Sequence, residues 1–333
     1  MIPSQYKGQL RMNEALLEMA CKRLQEAQRI LVISHIRPDG DAIGSLLGMG
    51  LSLQAAGKEV QMVLADGVPA NFRHLSGSEQ VRSQVEGSFD LIAVLDCSDL
   101  KRVGSALNGF SMPDLNVDHH PTNLNFARIN LVEEQAVATA EMLAHYLPRF
   151  GFPITQPVAS ALLFGLVTDT LGFRTHNMTP NALRVSADLM EAGGDLPTLY
   201  YKGLLRRTYE AGKYWGAGLS TLQREGRMVW TVLTIADRRA VGYPGRDDAD
   251  LINVLSSLEE VDVVIVFIEQ PGNRIKVSWR SQPGFDVSEV ALRFGGGGHK
   301  AAAGADIEGN IAEVQAEVLE YTRNLFLTEG QAS

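Results

Sequence analysis

The chain has 333 residues, 45% hydrophobic and 21% charged, with a formal net charge of −9. That length favours two domains over a single core. No apolar run approaches the ~18–20 residues of a membrane span, and the acidic balance argues against a broad cationic grip on duplex nucleic acid.

Cys21 and Cys97 form no CxxC pair, which argues against a disulfide scaffold or a thiolate zinc site. "MIPSQYKGQLRMNEALLEMA" has no signal-like apolar core, so a cytoplasmic location is expected. "RILVISH" (29–35) reads as a buried strand, followed by an apolar, small-residue helix over about 42–56 and a strand in "EVQMVLA" (59–65). "FDLIAVLDCSD" (89–99) and "DLNVDHH" (114–120) are further strands. Continuous apolar runs separated by helices predict an α/β class, a mostly parallel sheet covered by helices. Helices follow in "EEQAVATAEMLAHYLPRFG", "QPVASALLFGLVTDT" and "TPNALRVSADLMEAGGD". In the last of these Thr179 caps, Pro180 takes the first helical position and Gly193–Gly194 stop the helix.

Residues 193–215 read as a linker with helical parts, which gives expected domains at 1–192 and 216–328. The second is a smaller α+β domain. "VDVVIVFIEQPGNRIKVSWRSQ" has the shape of a hairpin about "PGN". In "FGGGGHKAAAG" four glycines and His299–Lys300 precede what reads as an alanine-rich helix start. A final helix near 311–325 and a loose tail, "TEGQAS", end the chain.

His35, Asp39 and Asp41 follow the first strand, and ligands bind beyond the carboxyl ends of strands in open α/β sheets. Alone, this group also reads as a turn, with Asp41 capping the next helix; read as ligands, Asp39 and Asp41 flank Gly40, which would turn the chain sharply between them. The other strands and helices repeat the pattern: Asp96 and Asp99 after "LIAVL", then Asp118, His119 and His120, and Asp169 in "GLVTDT". Imidazole mixed with carboxylate suits Mn²⁺, Fe²⁺ or Zn²⁺. Asp39, Asp41, Asp96 and Asp169 in one cleft would repel, and two divalent ions match their charge. Two such ions can bridge a hydroxide and stabilise a leaving oxygen, the requirements of hydrolytic phosphoryl transfer. In the second domain, the glycine run beside His299 and Lys300 offers backbone N–H groups to a phosphate. Ser278 and Arg280 alternate onto one strand face, where Arg280 can act as a bidentate clamp and Trp279 points away. Trp215 and Trp230 read as packing residues, and Tyr200, Tyr201, Arg206 and Arg207 as weaker cleft candidates.

"HIRPDGDAIGS", "VLDCSD", "NVDHH" and "GLVTDT" resemble the four ordered motifs of the DHH phosphoesterase superfamily. "VSWRS" with "GGGGHKAAAG" resembles the DHHA1 substrate-binding domain, and together the two cover nearly the whole chain. The chain resembles the short bacterial branch of bifunctional oligoribonucleases and 3'-phosphoadenosine 5'-phosphate (PAP) phosphatases. The resemblance implies two Mn²⁺, or other divalent metals in their place. One would be held by His35, Asp39 and Asp96, the other by Asp41, Asp96, His119 and Asp169. It implies that Asp118 orients a neighbouring histidine ligand and that His120 meets the substrate phosphate as donor or acid. Arg280, His299, Gly297, Gly298, Lys300, Ser278 and Arg174 would bind substrate, with the active site in the interdomain cleft. The implied substrates are short RNA oligonucleotides and dinucleotides such as pApA or pGpG, cut from an end to nucleoside monophosphates, and PAP, converted to AMP and phosphate. Single-strand DNA exonucleases and cyclic-dinucleotide phosphodiesterases of the same superfamily are the alternatives. A non-catalytic nucleotide sensor would have lost ligands, and an NAD-binding fold would carry glycines where H-x3-D-x-D stands. No membrane and no obligate protein partner is implied, and a homodimer stays open. Family members often carry Gly-Gly after the fourth motif's "DT". Here Leu171-Gly172 stands instead, so the loop bearing Phe173 and Arg174 is where a difference is expected.

Overall fold

Apolar residues fill both faces of the central strands, so each strand needs cover on two sides. The computed structural model describes residues 13–110 and 112–329. It divides into two units, Met1–Arg206 and Arg207–Ser333.

The first unit runs α1 (Glu14–Glu26), β1 (Arg29–Ile33), α2 (Gly40–Ala55), β2 (Glu59–Val63), β3 (Leu91–Leu95), β4 (Leu115–Asp118), β5 (Ile129–Val132), α3 (Thr139–Arg149), α4 (Gln156–Asp169), α5 (Pro180–Glu191) and α6 (Leu196–Tyr200). Its five strands are all parallel, in the order β2-β1-β3-β4-β5. Ile30, Val32, Ala93 and Leu95 pack into the larger core. Leu31, Ile33, Ile92 and Val94 face the other side, with Cys97 and Val103. Burial pushes the Cys97 thiol up to about 12, which removes it from thiolate chemistry. From β1 the chain moves outward to β2 on one side and to β3 on the other. That reversal opens a crevice at the carboxyl ends of β1 and β3.

Two helix starts differ from the sequence reading, and both bear on the crevice. The second helix begins at Gly40, so Asp39 and not Asp41 is its cap: the Asp39 carboxylate accepts the Asp41 and Ala42 N–H groups at 3.1 and 3.0 Å. Gly40 does not bend the chain. It lets α2 approach α4, because a Cβ there would lie 2.1 Å from Thr168 Oγ1. The third helix waits until Thr139, since Glu141 reaches back to accept the Val137 N–H at 2.8 Å and holds 133–138 out of the helix. The fifth follows the reading: Thr179 accepts the Ala182 N–H at 3.1 Å, with Pro180 at the first position.

The second unit runs α7 (Tyr209–Ser220), β6 (Gln223–Glu225), β7 (Met228–Leu233), α8 (Ile235–Val241), α9 (Leu251–Leu255), β8 (Val263–Gln270), β9 (Arg274–Ser281), α10 (Val287–Arg293), β10 (Gly297–His299), β11 (Ala302–Glu308) and α11 (Ile311–Glu329). The sheet order is β10-β11-β9-β8-β7-β6, antiparallel except for the parallel β7–β8 pair. The β8–β9 hairpin turns as expected, with Gly272 at φ 80° and Asn273 at φ 56°. The alanine-rich segment does not start a helix; it is β11, paired along its whole length with β9. Alanine's helix preference yields to that pairing and to Ala303 and Ala305, which enter the core that contains Trp279. Trp230 is buried in the same core, and Trp215 packs against the one on the other face. Of the tail "TEGQAS", Thr328 and Glu329 continue α11, while 330–333 lie outside the described residues. Among the described residues, no helix is long and apolar enough to cross a membrane.

Candidate metal centre

The crevice at the ends of β1 and β3 gathers every candidate ligand of the first unit. Ser34 Oγ donates to Leu95 O at 2.8 Å and ties the two strand ends together. His35 Nδ1 meets Ile36 O at 2.8 Å, which assigns the proton to Nδ1 and turns Nε2 toward Asp96 Oδ2 (3.5 Å) and Asp39 Oδ2 (3.9 Å). Asp96 follows β3 with a left-handed backbone, φ 52°, sparsely populated outside glycine and characteristic of functional sites. Its Oδ1 lies 3.8 Å from His119 Nε2, and that same nitrogen lies 3.7 Å from Asp169 Oδ2 at the end of α4. Asp41 completes the set from the first turn of α2.

Three groups of side chains each bring one donor atom apiece within 4.8 Å of one another: His35 with Asp39 and Asp96, Asp41 with His119 and Asp169, and Asp96 with His119 and His120. Asp96 belongs to two of the three. Only Asp39 is largely open to water; His35, Asp41 and Asp96 are 2%, 1% and 1% exposed. Their protonation records the crowding. Burial and then the charges of Asp96, Asp169 and Asp39 hold the Asp41 carboxyl well above the usual range, against the Ala140 N–H bond. Burial likewise pushes Asp169 up to about 7, with Asp96 and Asp39 adding to it and His119 and His120 opposing. For Asp96 burial acts upward too, but the His35 hydrogen bond and the three histidine charges outweigh it and the net shift is down. Burial disfavours charging of His35, yet Asp96 foremost and Asp39 raise it above its ordinary value. Carboxylates in mutual repulsion, interleaved with imidazole nitrogens, are a donor set that fits divalent cations.

Asp118 is wholly buried, and its partner is His120, not the candidate ligand His119. Asp118 Oδ1 lies 2.7 Å from His120 Nδ1, and Asp118 Oδ2 accepts from Asn123 Nδ2 at 2.6 Å. Burial opposes the charging of His120, but Asp118 and the neighbouring carboxylates raise it to about 9. The expected carboxylate–histidine pair exists, shifted by one residue, because consecutive residues beyond a strand point opposite ways. His119 Nδ1 instead faces Ala136 O at 3.3 Å. Asp99 has no part in the centre; it caps the following turn by accepting the Lys101 N–H at 2.9 Å.

In the second unit the registers place the remaining candidates. His299 pairs with Ala302 in β10–β11, and Ala302 with Arg280 in β11–β9. Residues paired across antiparallel strands share a face, so His299 and Arg280 flank a lone alanine methyl. The neighbouring row is Gly297, Gly304 and Ser278. Between the histidine and the arginine this face therefore carries little but glycine backbone and a methyl, a bay in the side-chain layer. Gly298 lies on the opposite face, where a Cβ would meet Ala302 O at 2.4 Å, so it shapes the hairpin and not the bay. Burial lowers the pKa of Arg280, and Asp248 and Asp250 oppose that shift. The Arg280 Nη1 donates to Trp279 O at 3.0 Å, and Trp279 points into the core as expected. Lys300 stands at the hairpin tip, 86% exposed and 4.0 Å from Asp286.

The family model described as "DHH family, N-terminal domain" matches residues 29–166, and that of the "DHHA1 domain" matches 230–324. The chain is 35% identical over 299 residues to the bifunctional oligoribonuclease and PAP phosphatase NrnA of Thermus thermophilus, covering 88% of this chain and 89% of that one. The chain belongs to the DHH/DHHA1 family. Its fold matches the crystal structure of an exopolyphosphatase-related protein from Bacteroides fragilis with a TM-score of 0.88 at 24% identity, over 96% and 99% of the two chains. It also matches RecJ of Thermus thermophilus, solved in complex with Mn²⁺, with a TM-score of 0.54 at 17% identity over 95% of this chain and 56% of that one.

Just beyond the residues matched by the DHH model, Leu171-Gly172 stand in a strained loop. Leu171, Gly172 and Phe173 are all left-handed, at φ 48°, 74° and 69°, and Thr170 Oγ1 accepts the Phe173 N–H at 3.0 Å to hold them. Leu171 therefore adopts a backbone that a glycine would take without cost. Gly172 keeps its glycine because a Cβ would lie 2.4 Å from the Tyr200 ring. Arg174 leaves this loop as an exposed residue. Several residues of the site carry no local signal. Thr139 and Ser45 bond to the buried carboxylates, Asn123 braces Asp118, and Asp248 and Asp250 act on Arg280. Ser45, one helical turn beyond Asp41, and Asn123, shortly beyond Asp118, are the two that lie close enough in sequence to have been suspected.

Proposed function

We propose that this phosphoesterase hydrolyses short oligoribonucleotides and dinucleotides to nucleoside monophosphates, and PAP to AMP and phosphate, with two Mn²⁺ in the β1–β3 crevice. The observation that carries the reading is Asp96. One of its oxygens faces His35 and the other faces His119, so a single carboxylate borders two ligand groups. When bound, two divalent ions supply charge for the phosphoryl oxygens and a water of lowered pKa. The chain supplies the rest. His35, Asp39 and Asp96 hold one cation; Asp41, Asp96, His119 and Asp169 hold the other. Asp118 fixes the imidazole of His120 through Nδ1, so that Nε2 meets the phosphate or hands a proton to the leaving oxygen.

In the second unit, Arg280 and His299 grip a substrate phosphate over the glycine floor, with Ser278 beside them. The substrate range is supported by the name of the Thermus relative and by the −9 charge, which does not suit long polyanions. A cytoplasmic enzyme acting without a protein partner fits the same reading.

The test offers purified protein with Mn²⁺ to PAP, pApA, pGpG, a pentanucleotide RNA and a long single DNA strand. Cleavage of the first four with the DNA spared is the expected result. Preference for the long DNA, or cleavage only of a simple phosphate ester, contradicts it.

A further inference from the structure

Asp41 and Asp96 are almost wholly removed from water, and a buried carboxylate keeps one orientation only through its hydrogen bonds. Thr139, the first residue of α3, touches both. Its hydroxyl donates to Asp96 Oδ1 at 3.0 Å, and its backbone N–H donates to Asp41 Oδ2 at 2.6 Å. The Ala140 N–H and the Ser45 hydroxyl reach Asp41 Oδ1 at 3.0 and 3.1 Å. Asp41 is thus held three times over, by groups that include the backbone of whatever residue stands at 139. Among the described residues, the hydroxyl that bonds Asp96 is that of Thr139, which is itself fully buried.

We propose that Thr139 is a positioning residue: its hydroxyl fixes the rotation of the Asp96 carboxylate, with Oδ2 toward His35 and Oδ1 toward His119, and so sets the affinity of the centre for divalent cations. The carboxylate torsion is broad and two-fold, so little but external bonds selects its angle. The nitrogens of His35, His119 and His120 lie 3.5, 3.8 and 3.8 Å away, so the His35 hydrogen bond is long and selects the angle only weakly. The Thr139 contact is the short one. The inference rests on the dinuclear reading above, since it assigns Asp96 to both cations.

Thr139→Val keeps the branched shape and both backbone bonds to Asp41 and removes only the donor. Thr139→Ser keeps the donor, and Thr139→Ala is a second hydroxyl-free variant of smaller bulk. Titration calorimetry of the full chain with Mn²⁺, beside thermal melts in chelator, separates the roles. Thr139→Ser is expected to bind as wild type. Thr139→Val and Thr139→Ala are expected to bind about 10–100-fold more weakly, the usual loss when a ligand's hydrogen-bond partner is removed, with the metal-free melting point preserved. Wild-type affinity in both hydroxyl-free variants overturns the proposal, as does a Thr139→Ser protein as weak as Thr139→Val. If neither hydroxyl-free variant folds, the hydroxyl serves the fold and the proposal is likewise overturned. Wild-type protein that takes up no Mn²⁺ overturns the dinuclear reading itself, and this inference with it.

Discussion

In the first unit the candidate centre is a crowd of charge held in place by buried hydrogen bonds, whereas in the second unit the bay is made by side chains that are missing. Asp41, Asp96, Asp118 and Asp169 stand close together because N–H groups, a threonine, an asparagine and three histidines hold them against repulsion. Gly297, Gly304 and Ala302 leave space between His299 and Arg280 because they contribute a methyl or nothing. The difference teaches where each unit is vulnerable. The centre fails when a group is removed, and the bay fails when a group is added.

The largest effect is expected from Asp96→Asn, which withdraws the one carboxylate bordering both ligand groups. Activity should fall on the order of 10³-fold or more, because metal charge contributes several kcal/mol to such reactions; steady-state rates at saturating Mn²⁺ check it. Next comes Arg280→Ala, which removes a charge-assisted grip of about 1.5–3 kcal/mol. KM for PAP should rise roughly 10–100-fold with kcat little changed, and Arg280→Lys should not restore it. Gly304→Val inverts the logic by adding bulk to the bay floor. A Cβ there meets the backbone Val277 O at a tight 3.3 Å, so some stability is lost, and KM for the folded protein should rise about tenfold, roughly 1.4 kcal/mol. If Gly304→Val proves silent while Arg280→Ala does not, the bay is not where the phosphate sits.

A smaller effect is written in the pH dependence of the metal-free protein. Asp41 and Asp169 have folded pKa values above the ordinary carboxylate value, about 7 for Asp169, so the folded state keeps protons that the unfolded chain has released. That stability is present below about pH 4 and is lost as pH rises through the folded values. His35 and His120 act with the same sign, their contribution fading above the ordinary histidine range and through about 9 for His120. Asp96, depressed, acts the other way only below about pH 4. In chelator the melting temperature should therefore fall from pH 5 to pH 8, by about 2–4 °C for each kcal/mol lost. With Mn²⁺ the trend should reverse, because deprotonated ligands bind metal. The smallest change is expected from Leu171→Gly. Relief of a left-handed leucine, about 1–2 kcal/mol, is offset by the roughly 0.5–1 kcal/mol that glycine's backbone freedom costs. Urea denaturation should show a shift within about 1 kcal/mol, and a larger loss would show that the Leu171 side chain matters more than its backbone.

Much of this was legible in the chain itself, for reasons particular residues make plain. The strands were readable because apolar runs such as "LIAVL" leave one interpretation, and Thr179–Pro180 announce a helix start by local chemistry. Both units have the architecture the patterns predict, a parallel α/β sheet and a mixed α+β sheet. The loops bearing the candidate ligands stood out because Asp and His recur where apolar segments end. What escaped the reading was settled by partners far along the chain. Thr139 is 43 residues from Asp96 and 98 from Asp41, so no spacing links them. "AAAGADI" read as a helix on alanine's preference, yet its conformation follows from pairing with β9. The capping role passed from Asp41 to Asp39 because Gly40, needed for contact with Thr168, lets α2 start early.

The central claim is that Asp96 stands between two cations. Anomalous diffraction at the manganese edge, on crystals grown with Mn²⁺, tests it most directly. The account predicts two peaks, one against His35, Asp39 and Asp96 and one against Asp41, Asp96, His119 and Asp169. A single peak, or two peaks neither of which touches Asp96, would contradict it.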